Sequence, residues 1–220
     1  MYISAVLIIL LGYFMGSIPT AYIAGKTRKG IDLRQYGSGT VSGSMVWEHV
    51  GRWIIVPVGL FDIAKAAFPT WLAVRSGFGS VIVILTGLSA VAGHNWPVFL
   101  NFTGGRGLSP MLGMLLVIFP PGAIWLLIFL AIGRLYEPPL LALLGLATIP
   151  LFSQWMSGPD YIPIVALAML ILTFLKRLEA NRRPLPENTA DRRQVLLRRL
   201  FLDRDIANHE EWIHRTPDQL

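Results

Sequence analysis

The chain has 220 residues, of which 54% are hydrophobic and only 15% charged, and its mean hydropathy is positive. That balance excludes an ordinary soluble globular domain, and the absence of cysteine excludes disulfides, thiol catalysis and thiolate metal sites. The net charge of +6 asks for anionic partners, yet the basic residues flank apolar runs instead of interleaving with aromatics, which points to lipid headgroups or an anionic substrate and away from nucleic acid.

Met1 to Gly25 contains no charged side chain. It reads as a first transmembrane helix, because about 20 apolar residues cross a hydrocarbon core of about 30 Å with every backbone polar group satisfied internally. A cleaved signal peptide would place Lys or Arg ahead of its apolar run, and none is present, so the segment is read as mature protein. Lys26, Arg28, Lys29, Arg34 and Arg52 follow it, which by the cationic bias of cytoplasmic loops sets the N-terminus outside. The "GKT" at 25–27 resembles the end of a P-loop, but Thr20 stands where its first glycine belongs.

The loop "KGIDLRQYGSGTVSGSMVWEHVG", residues 29–51, is polar and rich in glycine. Trp53 to Val74 then runs outward carrying only Asp62 and Lys65, which share a helix face at i, i+3. A charge in the hydrocarbon core costs at least about 2.5–3.5 kcal/mol, so the two are expected to pair against other helices. Gly79 to Gly93 returns inward, placing "GHNWPVFLNFTGGRGLSP", residues 93–110, on the cytoplasmic face with the first loop.

Gly107 to Gly133 is charge-free. Taken as one crossing it gives five spans and strands the basic tail outside; split at Pro120 and Pro121 it gives seven spans and a cytoplasmic tail, the reading that the cationic bias and the helix-breaking prolines favour. The halves are short and need tilt or thinning of the bilayer. Pro138 to Pro159 and Tyr161 to Leu175 complete the bundle. The expected architecture is an all-α integral membrane, multi-pass helical bundle, with residues 1–178 in the membrane and 179–220 forming a charged cytoplasmic tail. From residue 176 onward lie ten of the nineteen cations and eight of the thirteen acids, with an apolar stripe through Val195, Leu196, Leu200 and Phe201. That stripe suits either a helix on the inner leaflet or one packed on the protein's own loops.

Both polar loops fall on one membrane face. Their glycines expose successive N–H groups that can cradle a phosphate, and Arg106, the single charged residue between Arg75 and Arg134, suits phosphate recognition. Ser38 with Gly37, Gly39, Gly104, Gly105 and Arg106 therefore forms a candidate anion site, extended by Ser42, Ser44 and Gly107. The plainer alternative is that the glycines are turns and Arg106 snorkels to headgroups. His49, His94, His209 and His214 lack metal-ligand spacing, and no His is followed five positions later by Asp, so a His–Asp general base is absent. His94 is left as an interfacial histidine or a substrate contact.

The ordered series "GSIPTAYIAGK" (16–26), "KGIDLRQYGSG" (29–39), "DIAK" (62–65) and "GHNWPVFLNFTGGRG" (93–107) resembles the bacterial acyl-phosphate:glycerol-3-phosphate acyltransferase family, the PlsY type. The resemblance implies a seven-helix fold with cytoplasmic catalytic loops. It also implies acyl transfer from acyl phosphate to the 1-hydroxyl of glycerol 3-phosphate, giving lysophosphatidate for phospholipid synthesis without acyl-CoA, metal or other cofactor. By position it implies Ser38, His94 and Arg106 as catalytic, with Arg106 in place of the lysine of "GGKG". Against the family pattern "GSGNxGATNxxR", Thr40 and Met45 replace asparagines and Glu48 an arginine; against "RHxxNIxR", the chain reads "KRLEANRR", with Ala180 at the asparagine and Asn181 one position late. Glu48 places repulsion where attraction is expected, worth about 1 kcal/mol in water, and Arg177 is the candidate to compensate. These substitutions leave open a non-catalytic paralogue that binds a lipid phosphate or a protein partner. A small transporter is the third reading, for which only Asp62 and Lys65 supply midplane polarity.

Overall fold

The computed structural model describes residues 2–216, and every regular element among them is helical. In chain order these are α1 (Tyr2–Gly16), α2 (Thr20–Lys29), α3 (Gly43–His49), α4 (Ile55–Arg75), α5 (Ser80–Asn95), α6 (Leu108–Ile118), α7 (Pro120–Gly133), α8 (Pro138–Trp155), α9 (Ile162–Glu179), α10 (Thr189–Leu202) and α11 (His209–Ile213). The segments Tyr2–Lys29, Ile55–Arg75, Ser80–Leu100 and Pro138–Trp155 are long and apolar enough to cross a membrane, and α6 and α7 are shorter apolar helices.

The split at the paired prolines is present. Pro120 lacks the N–H that would continue α6 and sits at the start of α7, while Phe119 between them adopts φ −160°, ψ 76°. Phe119 is buried and packs over Gly122 and Gly158, so the break is held by the core. That core runs through Met111, Met114, Leu115, Leu126, Leu146, Ile149, Ile162, Val165 and Met169. Trp125 stacks on Phe152 with centroids 4.4 Å apart.

Small residues set the closest helix approaches. Gly16 of α1 lies on the Ala90 backbone of α5, and Gly113 of α6 on the Ile63 backbone of α4. Outward, Leu7, Leu60, Ile124, Leu151 and Ile164 are exposed, the inside-out pattern of a bundle solvated by lipid. Trp53, expected to begin α4, lies exposed in the preceding turn.

The charged tail packs on the loop end of the bundle. Arg177 of α9 donates to the carbonyls of Leu200 (2.8 Å) and Pro139 (2.8 Å), tying α10 to the start of α8. Arg199 is buried and bound to Asp205 at 2.6 Å, and Arg204 grips Glu137 through both terminal nitrogens at 3.0 Å. α10 packs on α8 and α9, and Leu197 and Phe201 face outward from it.

Candidate active site

The first polar loop is built from local bonds upward. Asp32 caps a 3₁₀ turn over Leu33–Gln35 by accepting from the Arg34 N–H, and the Arg34 guanidinium, bonded to the same carboxylate at 2.7 Å, holds the Asp32 carboxyl below its usual range. Beyond the turn, Gly37 (φ +47°) and Gly39 (φ +66°) occupy left-handed backbone that glycine enters without a steric penalty. Ser38 between them begins a hydroxyl ladder: Ser38 to Thr40 at 2.7 Å, Thr40 to Ser42 at 3.0 Å and Ser42 to Ser44 at 3.0 Å. Four hydroxyl protons serve three contacts, so one O–H is left to donate to a ligand.

The second loop leaves α5 after Asn95. Gly105 donates its N–H to the His94 carbonyl at 3.1 Å, curling the chain back on the helix end. A Cβ on Gly104 would collide with the His94 carbonyl, and one on Gly105 would collide with the imidazole Nε2 of His94. Gly107 opens α6 at φ +78°. All three glycines are therefore fixed by crowding or by backbone sign.

The two loops meet. Val41 donates its N–H to the Gly104 carbonyl at 3.3 Å, and Asn181 Nδ2 bridges the Gly39 carbonyl (2.9 Å) and the Gly104 carbonyl (3.2 Å). Arg183 adds a bond of 2.7 Å to the Gly37 carbonyl. Asn181 reaches this position because Ala180, Asn181 and Arg182 form a left-handed turn (φ 45°, 54° and 62°). Its one-residue offset in the motif is thus absorbed by the backbone.

Gly37, Ser38, Gly39, Ser42, Gly104, Gly105, Arg106 and Gly107 consequently lie on one pair of abutting loops, with Ser44 in the first turn of α3 and His94 in the last turn of α5 beside them. Arg177 does not join them, since it is buried at the α8–α10 junction and both terminal nitrogens are bonded there. Arg106 sits in the loop, but its guanidinium turns toward the tail, donating from Nη1 to the Lys176 carbonyl (2.9 Å) and from Nε to Asp203 (2.9 Å). The Glu48 carboxylate lies 3.9 Å from the Arg134 guanidinium and 3.7 Å from the His214 ring, and Met45 is an apolar core residue under Gly37.

Residues that sequence reasoning missed complete the site. Burial, and then the neighbouring Arg215 charge, push the Arg183 guanidinium down to about 10, which still leaves it charged at neutral pH. Cations gathered at a loop surface draw in anions. Among the described residues, both side-chain polar atoms of fully buried Asn95, together with Arg215 Nε and Nη2, have no partner. Groups of this kind are satisfied by water or by ligand. No cluster of three or more His, Asp or Glu suited to a metal occurs among the described residues.

Behind the loops lies a second polar cluster. Lys65 Nζ contacts Asp62 Oδ1 at 2.8 Å and the Ile18 carbonyl at 3.0 Å, Thr20 Oγ1 donates to the same carboxylate oxygen at 2.5 Å, and His94 Nδ1 lies 3.8 Å from it. A cavity of about 10 Å³, room for one water, is lined by Ser17, Thr20, Val41, Lys65, His94 and Gly104, so the cluster abuts the joined loops.

A family model described as glycerol-3-phosphate acyltransferase matches residues 6–185. The chain belongs to that family. It is 35% identical over 222 residues to glycerol-3-phosphate acyltransferase 5 of Dehalococcoides mccartyi, an alignment covering 96% of this chain and 93% of that relative. To the glycerol-3-phosphate acyltransferase of a Synechococcus strain it is 36% identical over 184 residues, covering 81% and 92%. Its fold is similar to the crystal structure of PlsY, an integral membrane glycerol 3-phosphate acyltransferase, in the glycerol 3-phosphate form, with a TM-score of 0.73, 31% identity, and coverage of 82% of this chain and 91% of that one. The lysophosphatidic acid form of PlsY gives a TM-score of 0.70 at 28% identity. As a member of the acyltransferase family, the chain keeps the membrane bundle while α10 and α11 lie beyond the family match.

The crowding at Gly104 makes a direct prediction. Gly104→Ala drives a methyl into the His94 carbonyl and the Pro97 ring, separating the loops. Overpacking of this kind costs about 1–3 kcal/mol, and acyl transfer is expected to drop more steeply than thermal stability. Initial rates set beside melting in detergent check this; an alanine variant with normal turnover rejects the tight loop junction.

Proposed function

We propose that this protein transfers a fatty acyl group from acyl phosphate to glycerol 3-phosphate, forming lysophosphatidate for phospholipid synthesis. The observation that carries the reading is the joining of the two glycine-rich loops at the Gly104 carbonyl, which places the Ser38 hydroxyl ladder and the Arg106 loop in one cationic cluster at the end of an apolar bundle. The attacking 1-hydroxyl oxygen forms the new ester bond, the acyl carbon–oxygen bond to phosphate breaks, and the leaving phosphate takes up the hydroxyl proton through one of its own oxygens. The N–H groups of Gly37, Gly39 and Gly105, expected from the sequence to face a phosphate, are instead bonded to the carbonyls of Arg215, Tyr36 and His94. Donors fixed where negative charge develops, here the spare hydroxyl and Arg106, stabilise the leaving phosphate. Entry of the acyl chain between helices explains why the loops sit at the bundle end.

The same proposal includes the membrane arrangement. Helices α1 and α4 to α9 make seven crossings, the N-terminus lies outside, and residues 1–178 form the membrane domain with 179–220 as a cytoplasmic cap. The Arg-rich loops and tail support this orientation. Purified protein in vesicles, given acyl phosphate and radiolabelled glycerol 3-phosphate, is expected to produce labelled lysophosphatidate; extraction of no product above a protein-free blank rejects the activity.

A further inference from the structure

The cation that the proposed chemistry assigns to phosphate already holds an anion of the chain itself. Arg106 and Asp203 are 11% and 19% exposed, and Nε lies 2.8 Å from Asp203 Oδ1 and 2.9 Å from Oδ2. A carboxylate presented to a guanidinium at this distance offers the same charge-assisted contact as a phosphoryl oxygen. Asp203 itself sits at φ +54°, at the end of α10, just after the carbonyl that Arg177 holds and just before the Arg204 that grips Glu137. Its backbone is therefore pinned from both sides, and only the side chain can leave Arg106. Arg106 keeps its bond to the Lys176 carbonyl in either case, and among the described residues its Nη2 has no protein acceptor.

We propose that Asp203 is an internal stand-in for the substrate phosphate at Arg106, displaced by side-chain rotation whenever a phosphoryl group binds. The inference rests on the phosphate role of Arg106 proposed above and adds the group that sets its working affinity. A ligand that must first displace an intrachain partner binds weaker by the fraction of time the cation is unpaired. A phosphate dianion brings more charge to the cationic cluster than the carboxylate it replaces, so exchange favours substrate. Return of Asp203 to Arg106 in turn helps expel the inorganic phosphate product. The Asp203 segment lies beyond residues 6–185 matched by the family model.

Asp203→Asn removes the charge and keeps a side chain that tolerates left-handed backbone. In full-length protein, inorganic phosphate is expected to bind Asp203→Asn about two- to fivefold more tightly than the parent, the range of a partly exposed ion pair, and to inhibit acyl transfer correspondingly harder. Asp203→Gly, which also accepts the backbone, is expected to behave likewise, and combining either change with Arg106→Ala is expected to erase the gain. Unchanged or weaker phosphate binding in both Asp203 variants overturns the proposal and marks Asp203 as a support that orients Arg106. Failure of the underlying site reading looks different: Arg106→Ala alone then leaves phosphate binding and turnover of the parent untouched.

Discussion

Arg106→Ala is expected to lower kcat/KM for acyl transfer by roughly 10²- to 10³-fold, the scale seen when one donor aimed at developing charge is removed. The size follows from placement. Arg106 is the single charged residue of its loop, it is largely buried, and its backbone is fixed between crowded Gly105 and left-handed Gly107. Little else in the loop can carry its charge to a phosphate. Stability should move less, because the ion pair lost is with a partly exposed carboxylate and surface-type pairs are worth about 0–1 kcal/mol. Arg106→Lys keeps the charge and is expected to recover a large part of the rate while losing two-point recognition. Initial rates in vesicles, with melting as a fold control, decide the matter, and undiminished turnover of the alanine variant sinks the site assignment.

What the sequence could disclose divides along physical lines. Apolar runs, the Pro120–Pro121 break and the i, i+3 spacing of Asp62 and Lys65 are local, so periodicity and composition expose them. The meeting of the two loops was inferable from their shared membrane face, since two segments confined to one surface have little room to avoid each other. The stitch that joins them was not. Asn181 lies 142 residues from Gly39 in the chain and reaches it only through three consecutive non-glycine residues of positive φ, a conformation that no propensity predicts for Ala, Asn and Arg. For the same reason motif position alone makes Arg177 the candidate to compensate for Glu48 in binding the anion, whereas its helix turns it toward Pro139 and Leu200. Glu48 reads as hostile to an anion because its neighbours, Arg134 and His214, come from just beyond α7 and from the tail. The hydroxyl ladder is nearer to legible, as Ser38, Thr40, Ser42 and Ser44 alternate in sequence, although the left-handed Gly39 and the start of α3 at Gly43 set its final geometry.

The Asp62–Lys65 pair offers the sharpest test of structure against chemistry. Both groups are 2% exposed, and their bonds to Thr20 and the Ile18 carbonyl anchor the α1–α2 junction against α4. Lys65→Met leaves a carboxylate buried with one hydroxyl donor, and removing one partner of a buried pair costs about 3–5 kcal/mol. A marked fall in melting temperature in detergent is therefore expected. Replacing both, as Asp62→Leu with Lys65→Met, removes the stranded charge, so stability should return toward that of the parent, and the double variant should be far less destabilised than the sum of the two single changes. Lys65→Met melting like the parent would falsify the anchoring role. Turnover of the double variant then separates the remaining possibilities. Recovery of stability and activity together makes the pair a scaffold that seats His94 and the Ser17–Thr20 turn beside the loops. Recovery of stability alone means that Lys65, which lines the small cavity beside Gly104, or Asp62, which is paired with it, contributes its polarity to the reaction itself.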